Sequence, residues 1–220
     1  MDLQQKNFSW LLSALLVFLV VMPIAEDLGV ISTRNMRVLM FSWLFAFGVW
    51  SLRGFGRLFP IAIGIGAAGI VLTILTVATP GDTYSLSSLA AAAGFIIVAV
   101  WCVGTHVFAS REISANRVVG AVTLYLLFGV LWAIIYAVVE RANPGSFTGV
   151  TEPLTQGWSS DWRYFSFVTM TTLGYGDITP ISATARTFSY LQAVFGQFYI
   201  AILIAGLVGA YIAKYLSSPD

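Results

Sequence analysis

Charge is missing from most of this chain in long unbroken intervals, and their lengths constrain the fold more than any motif does. The Asp, Glu, Lys and Arg residues are bunched, leaving uncharged intervals at 7–25, 38–52, 58–81, 83–110, 118–139 and 187–213. A helix rises about 1.5 Å per residue and needs about 20 apolar residues to cross a hydrocarbon layer of about 30 Å. Five intervals meet that requirement unaided. The interval 38–52 is short, but Arg37 and Arg53 bound it. Their aliphatic stems can lie along lipid while the heads reach the interface, so a helix over roughly 33–56 is expected to span.

Composition agrees with this reading. The chain is 58% hydrophobic and 10% charged, against roughly 25% charged residues in a soluble domain, and its mean hydropathy is +0.86. That leaves too little polar surface to cover a globule, which argues against a soluble enzyme. A net charge of +1 without a basic tail gives no reason to expect nucleic acid. Phe8 to Ala25 reads as a retained first span: it is longer than a usual signal-peptide core, and Pro23-Ile24-Ala25 is a poor cleavage site. The one cysteine, Cys102, falls inside a span and reads as a small buried hydrophobe.

The first four spans are joined by short links, the third link containing Pro80-Gly81-Asp82, so sequential helices should be antiparallel neighbours. A fifth helix is expected from near Asn116 to Val139. The polar stretch 110–117 before it marks the expected boundary between a peripheral bundle, 1–110, and a second unit, 111–220.

Residues 140–163 are polar and turn-rich, with Asn143-Pro144-Gly145, Gly149, Pro153 and Gly157. An uncharged run from Tyr164 to Gly176 follows. As a helix it would cover only about 20 Å, too little to cross, so it must lie at the surface or dip in and return. Its first part, from about Ser160 to Thr171, predicts a short helix capped by Ser159 or Ser160 with Asp161 in the first turn. In its second part, Thr171-Thr172-Leu173-Gly174-Tyr175-Gly176-Asp177, glycines alternate with larger residues. Glycine reaches φ values closed to other residues, so several consecutive carbonyls can turn one way. Unpaired backbone at membrane depth is tolerated only where it is buried in protein or lines a watery cavity.

At these residues the sequence resembles the potassium channels, whose filter motif T-(V/I/L)-G-Y-G-D lies between two membrane helices. The stretch Thr169 to Asp177 is closest to the voltage-gated branch, with Leu173 for the commoner valine, and the likeness runs from about Arg117 to Ala213. The resemblance implies an all-α membrane protein of six transmembrane helices plus a re-entrant pore helix and filter loop. The motif occurs once and a carbonyl ring needs several copies around an axis; the resemblance implies four chains, a homotetramer. The carbonyls of Thr172, Leu173, Gly174 and Tyr175, followed by Gly176, and the Thr172 hydroxyl would then replace the water shell of K+.

Further roles follow from the same resemblance. Asp177 would lie at the outer mouth, with Tyr164 in place of a tryptophan that bonds this aspartate, and Phe165 in place of a second tryptophan, able only to pack. Val168 stands where some relatives carry a buried glutamate. Glu140, ahead of Pro144-Gly145, would accept hydrogen bonds from the linker between filter and final helix, or serve as an interfacial charge. Arg186 would be an interfacial anchor. Gly196 is the gating-hinge candidate, with close helix packing as its alternative. The Pro-x-Pro of animal voltage-gated relatives is replaced by Leu203-Ile204-Ala205, so no sharp kink is expected, and Gly206 and Gly209 would allow close helix contact.

The layout resembles a voltage-gated channel, but the fourth helix, 83–110, carries only His106 and no Lys or Arg. Each elementary charge crossing 100 mV is worth about 2.3 kcal/mol, so steep gating needs several such residues. The bundle is expected to be electrically inert and His106 to pack near an interface. With the filter opening outside, Lys6, Arg53, Arg57, Arg111, Arg117 and Lys214 fall inside and Arg34, Arg37, Arg141, Arg163 and Arg186 outside, a feeble positive-inside bias. Past Lys214 the sequence is short, so a gating stimulus is expected to act on the membrane part, the filter or a partner.

The expected activity is passive potassium conduction with weak or no voltage dependence, in a multi-pass protein of the cell membrane surrounded by lipid. A less selective monovalent cation channel is the alternative. No catalytic cluster or P-loop appears, so no enzyme and no cofactor are expected beyond K+ as the permeant ion.

Overall fold

The computed structural model describes residues 3–29, 33–51, 58–79, 84–109, 115–151 and 159–216. The first helix, α1 (Leu3–Leu16), passes through a π-helical turn (Val17–Val21) into α2 (Met22–Asp27). Then come α3 (Thr33–Ser51), α4 (Leu58–Ala78), α5 (Ser85–Ala109) and α6 (Ala115–Ala142). Strand β1 (Phe147–Thr148) precedes the short helix α7 (Ser160–Met170), and β2 (Thr179–Pro180) precedes α8 (Ala183–Phe198). A second π-helical turn (Tyr199–Ile204) carries α8 into α9 (Ala205–Leu216). The fold is all-α apart from the paired two-residue strands.

Among the described residues, five rods hold apolar stretches long enough to cross a membrane: Phe8–Ala25, Phe59–Thr76, Leu86–Phe108, Ala115–Ala142 and Ala183–Ala210. The apolar part of α3, Val38–Trp50, is shorter, and the reach to 56 expected of it runs beyond the described residues. So do the Pro80-Gly81-Asp82 turn, Arg53, Arg57, Arg111, Pro153 and Gly157.

Lipid tails are as apolar as leucine, so packing and hydrogen bonds rather than escape from water set the arrangement of these rods. Helix α3 packs between α1 and α4, α4 on α5, and both α1 and α5 on α6. The first four rods therefore meet α6 through α1 and α5. Phe18, Phe45, Phe95, Leu11, Leu15, Met40 and Ile96 fill their core, with Phe45 and Phe95 edge to face at 4.9 Å. Trp43 Nε1 donates to Ala14 O at 3.1 Å, tying α3 to α1. Arg117 Nε donates to Val107 O at 2.6 Å, which satisfies a carbonyl at the end of α5 and fixes its approach to α6. Cys102 is buried, and His106 packs edge-on against Phe8.

Neither π-helical turn contains proline, and nothing in the apolar pattern announces them. Each widens the helix locally without breaking it.

Candidate functional site

Helix α7 begins where the sequence places it. Ser159 is in extended conformation and its hydroxyl accepts from Asp161 N at 3.2 Å, pairing one of the donors that a helix start leaves open. Asp161 lies in the first turn and accepts from Thr151 N at 2.7 Å, so the preceding loop is pinned to the helix start. At the other end the last carbonyls are used by the chain that follows. Phe167 O accepts from Thr171 N at 3.0 Å, Thr169 O from Thr172 N at 3.0 Å, and Val168 O from Leu173 N at 2.9 Å and Gly174 N at 3.4 Å.

Beyond this cap the backbone alternates in handedness. Thr172, Gly174 and Gly176 have φ of 59°, 55° and 81°, while Leu173 and Tyr175 between them are not left-handed. Such alternation turns successive N–H groups to one side, and because each trans peptide points its N–H and C=O oppositely, the carbonyls gather on the other. Among the described residues no hydrogen bond reaches the carbonyls of Thr172 to Gly176. Residues 171–177 are all exposed in the single chain. Thr172 is β-branched, and a left-handed φ there costs roughly 1–3 kcal/mol, strain that the surrounding contacts must hold.

Those contacts come from three sides. On one side, Tyr164 Oη donates to Asp177 Oδ2 at 2.6 Å, and the Tyr164 and Tyr175 rings stack parallel at 6.5 Å. The shared bond pushes the Tyr164 phenol up to about 12 and holds the Asp177 carboxyl below its ordinary range. Above, β1 pairs antiparallel with β2, Phe147 opposite Pro180, and Ile181 N donates to Ser146 O at 2.7 Å. Gly149, at φ +85°, lies so close that a Cβ there would come within 1.9 Å of Asp177 O. Behind, Phe165 packs edge-on against Tyr136 at 4.8 Å and Phe147 at 5.3 Å.

A family model described as "Ion channel" matches residues 95–213, which holds the whole of α6 to α8 and the loop between. The chain belongs to the ion channel family. It is a multi-pass membrane protein of that family. It is similar to Two pore potassium channel c of Oryza sativa subsp. japonica, 40% identical over 87 residues, which is 38% of this chain and 16% of that protein. It is also similar to Inward rectifier potassium channel Kirbac3.1 of Paramagnetospirillum magnetotacticum, 37% identical over 83 residues, 36% of this chain and 24% of that one. Two-pore potassium channel 2 of Arabidopsis thaliana is 37% identical over 94 residues, 42% of this chain and 18% of the relative. The chain thus spans less than a quarter of each of these relatives. No solved structure matches it.

Glu140 is buried and accepts from Gly145 N at 2.8 Å and Phe147 N at 2.9 Å. This corrects the expected donor, the linker between filter and last helix. The carboxylate instead folds the loop directly after its own helix, and that loop carries β1 to the linker. Arg163, counted among the charges expected outside, is buried. Its Nη1 lies 4.0 Å from Met40 Sδ and its guanidinium 5.9 Å from the Phe18 ring centroid, so α7 is docked on the first two rods. Arg186 is exposed, with Nε 3.3 Å from Pro180 O. Gly196 is buried where α8 crosses the end of α7, and a Cβ there would meet Met170 O at 2.1 Å. This geometry is what the packing alternative requires of the glycine. Around Gly206 and Gly209 there is open space in the single chain.

Sequence reasoning missed the polar contacts that hold α7. Gln192, fully buried, donates through Nε2 to Ser166 O at 3.0 Å and Ser166 Oγ at 2.8 Å, and Tyr136 Oη donates to its Oε1. Ser166 Oγ in turn donates to Gly129 O at 2.7 Å. Nearby, Tyr199 Oη donates to Ala121 O at 2.7 Å, and Gln197 Nε2 reaches Thr172 Oγ1 at 3.2 Å. The available signal was the presence of two glutamines in the uncharged interval 187–213. A polar side chain in a membrane helix faces protein or water, not lipid.

Proposed function

We propose that this protein is a potassium-selective channel that conducts passively across the cell membrane as a homotetramer. The observation that carries the reading is the alternating-handed run Thr172–Gly176, with carbonyls free of hydrogen bonds, between two membrane-crossing helices. Four such runs around an axis supply rings of carbonyl oxygens in place of the water shell of K+. The Thr172 hydroxyl adds the innermost ring, and Asp177 lies at the outer mouth. The relatives named above all carry potassium channel in their names, which favours K+ as the ion.

Residues 111–220 form the conducting unit and 1–110 a peripheral bundle that resembles a voltage sensor. Helix α5 has no Lys or Arg to move in the field, so currents are ohmic or only weakly voltage dependent. Gly196 remains a candidate hinge only if the helix below it moves independently of α7.

The test is flux from purified protein in liposomes. Potassium flux blocked by barium and abolished by Gly174→Asp supports the reading. A reversal potential that does not shift when sodium replaces potassium gives the alternative, a non-selective monovalent cation channel. Absence of any flux, with protein folded and inserted, overturns both.

A further inference from the structure

Gln197 is not part of the filter, yet its amide touches the filter at one atom that conduction uses. Gly196 is pressed against Met170 O, which fixes the depth at which α8 passes the end of α7. The next residue, Gln197, is then level with the first residues after that end. Its side chain is exposed in the single chain, and Nε2 donates to Thr172 Oγ1 at 3.2 Å. Gln192 and Gly196 are buried on the face of α8 turned to α7, so Gln197 lies about 100° further round, towards the filter's inner end.

We propose that Gln197 weakens the innermost ion site by occupying the Thr172 hydroxyl. The inference rests on the channel reading above, in which that hydroxyl oxygen coordinates the ion. A threonine hydroxyl has two acceptor lone pairs and one proton. The amide N–H takes one lone pair and places the positive end of its dipole beside the oxygen that a cation must approach. In a tetramer this happens four times around the axis. The innermost site therefore holds a cation less tightly than the outer ones, which are built from backbone carbonyls with no such competitor. Gln197 thus acts as a specificity-determining residue for occupancy from the inner side, without contributing to the choice of K+ over Na+.

The test uses the full-length protein in planar bilayers, with barium applied from the inner side as the probe. Gln197→Leu removes the donor and leaves the hydroxyl to the ion, so inner barium block should tighten by roughly tenfold, equivalent to about 1.4 kcal/mol. Gln197→Glu can accept the Thr172 O–H, which frees both lone pairs and adds charge, and should tighten block further. Block from the outer side and the potassium-to-sodium permeability ratio should stay at wild-type values. In a Thr172→Ala background, Gln197→Leu should change nothing.

Unchanged or weaker inner block in Gln197→Leu, with a conducting wild type, overturns the inference. So does a tightening that persists without the Thr172 hydroxyl, or a loss of ion selectivity, which would make Gln197 a prop of the filter. A wild-type protein that passes no potassium overturns the channel reading itself and is a separate result.

Discussion

Replacing Gln192 with leucine tests whether α7 is held by the polar cluster behind the filter. The cluster comprises four hydrogen bonds: Tyr136 to Gln192, Gln192 Nε2 to Ser166 O and to Ser166 Oγ, and Ser166 Oγ to Gly129 O. Gln192→Leu removes the first three. It leaves Tyr136 Oη with Phe188 O at 3.4 Å and the Ser189 side chain. Ser166→Ala removes the last two, and the double variant removes all four. Hydrogen bonds between membrane helices average about 0.6 kcal/mol and reach about 1.7. Gln192→Leu should therefore cost about 2 kcal/mol and Ser166→Ala about 1 kcal/mol. Only the 2.8 Å bond between Gln192 Nε2 and Ser166 Oγ is lost in both single variants. The double variant should then be less destabilised than the sum of the singles by the worth of that one bond, roughly 0.6–1.7 kcal/mol. The assay is reversible unfolding in mixed micelles, run on all four proteins. Additivity to within about 0.3 kcal/mol would show that the two side chains do not share a bond and would refute the argument.

Gly149→Ala combines a left-handed φ with a Cβ driven into Asp177 O and should cost several times more than Gly145→Ala, whose φ is the same but whose Cβ meets open space, worth about 1–3 kcal/mol of strain alone. Equal melting temperatures for the two would contradict the contact. Gly196→Ala should lower thermal stability by roughly 1–3 kcal/mol as an overpacking change and disturb conduction at the filter, whereas Gly206→Ala, in open space, should do neither. A Gly196→Ala protein of normal stability with altered opening alone would favour the hinge. Tyr164→Phe and Asp177→Asn should each speed the loss of current in low external potassium, and the double variant should be no worse than either. The same bond gives a sign for pH. Asp177 titrates below its ordinary 3.8, so the contact is complete above that value and lost as pH falls through the lowered one. Tyr164 keeps its proton above the ordinary 10.0 and releases it only towards about 12. The rate of current loss should therefore be flat from about pH 5 to about pH 9, and a midpoint within that window would count against it.

Local signals carried the parts of the site that local chemistry decides. Ser159 and Asp161 announce the start of α7 because a cap and a first-turn carboxylate act within three residues. Gly174 and Gly176 announce left-handed backbone because other residues resist it. Thr172 gave no such signal: its φ of 59° runs against the preference of a β-branched residue and is imposed by the bonds on either side, from Thr172 N to Thr169 O and from Leu173 N to Val168 O. Glu140 was legible as a support, but its donors were not, since Gly145 and Phe147 meet it only after the Asn143–Gly145 turn has doubled back. Arg163 illustrates a different limit. On charge alone it belongs at an interface, and only the packing of α7 against Phe18 and Met40 turns it inward. Gln192 stood out as polar in an apolar span, whereas Ser166 is one of many serines, and nothing short of the helix crossing pairs them.

An isolated helix of 11 residues is marginal even with favourable composition, so the position of α7 is a tertiary property. Its anchors are spread along its whole length and come from different elements: Thr151 on Asp161, the first π-helical turn and α3 on Arg163, α6 and α8 on Ser166, and α8 on Met170. The strained run beyond Met170 hangs from the last carbonyls of this helix, through Val168 O and Thr169 O. A shift of any anchor is therefore delivered to the same few carbonyls, at the end where the backbone is already left-handed at an unfavourable residue. That is why the glycines alone do not make the site. They permit the alternating backbone, and residues as far away as Phe18 and Gln192 hold it in place. It also gives the first rods a role that needs no gating charge: through Phe18 and Met40 they are in direct contact with the helix that sets the geometry of the loop.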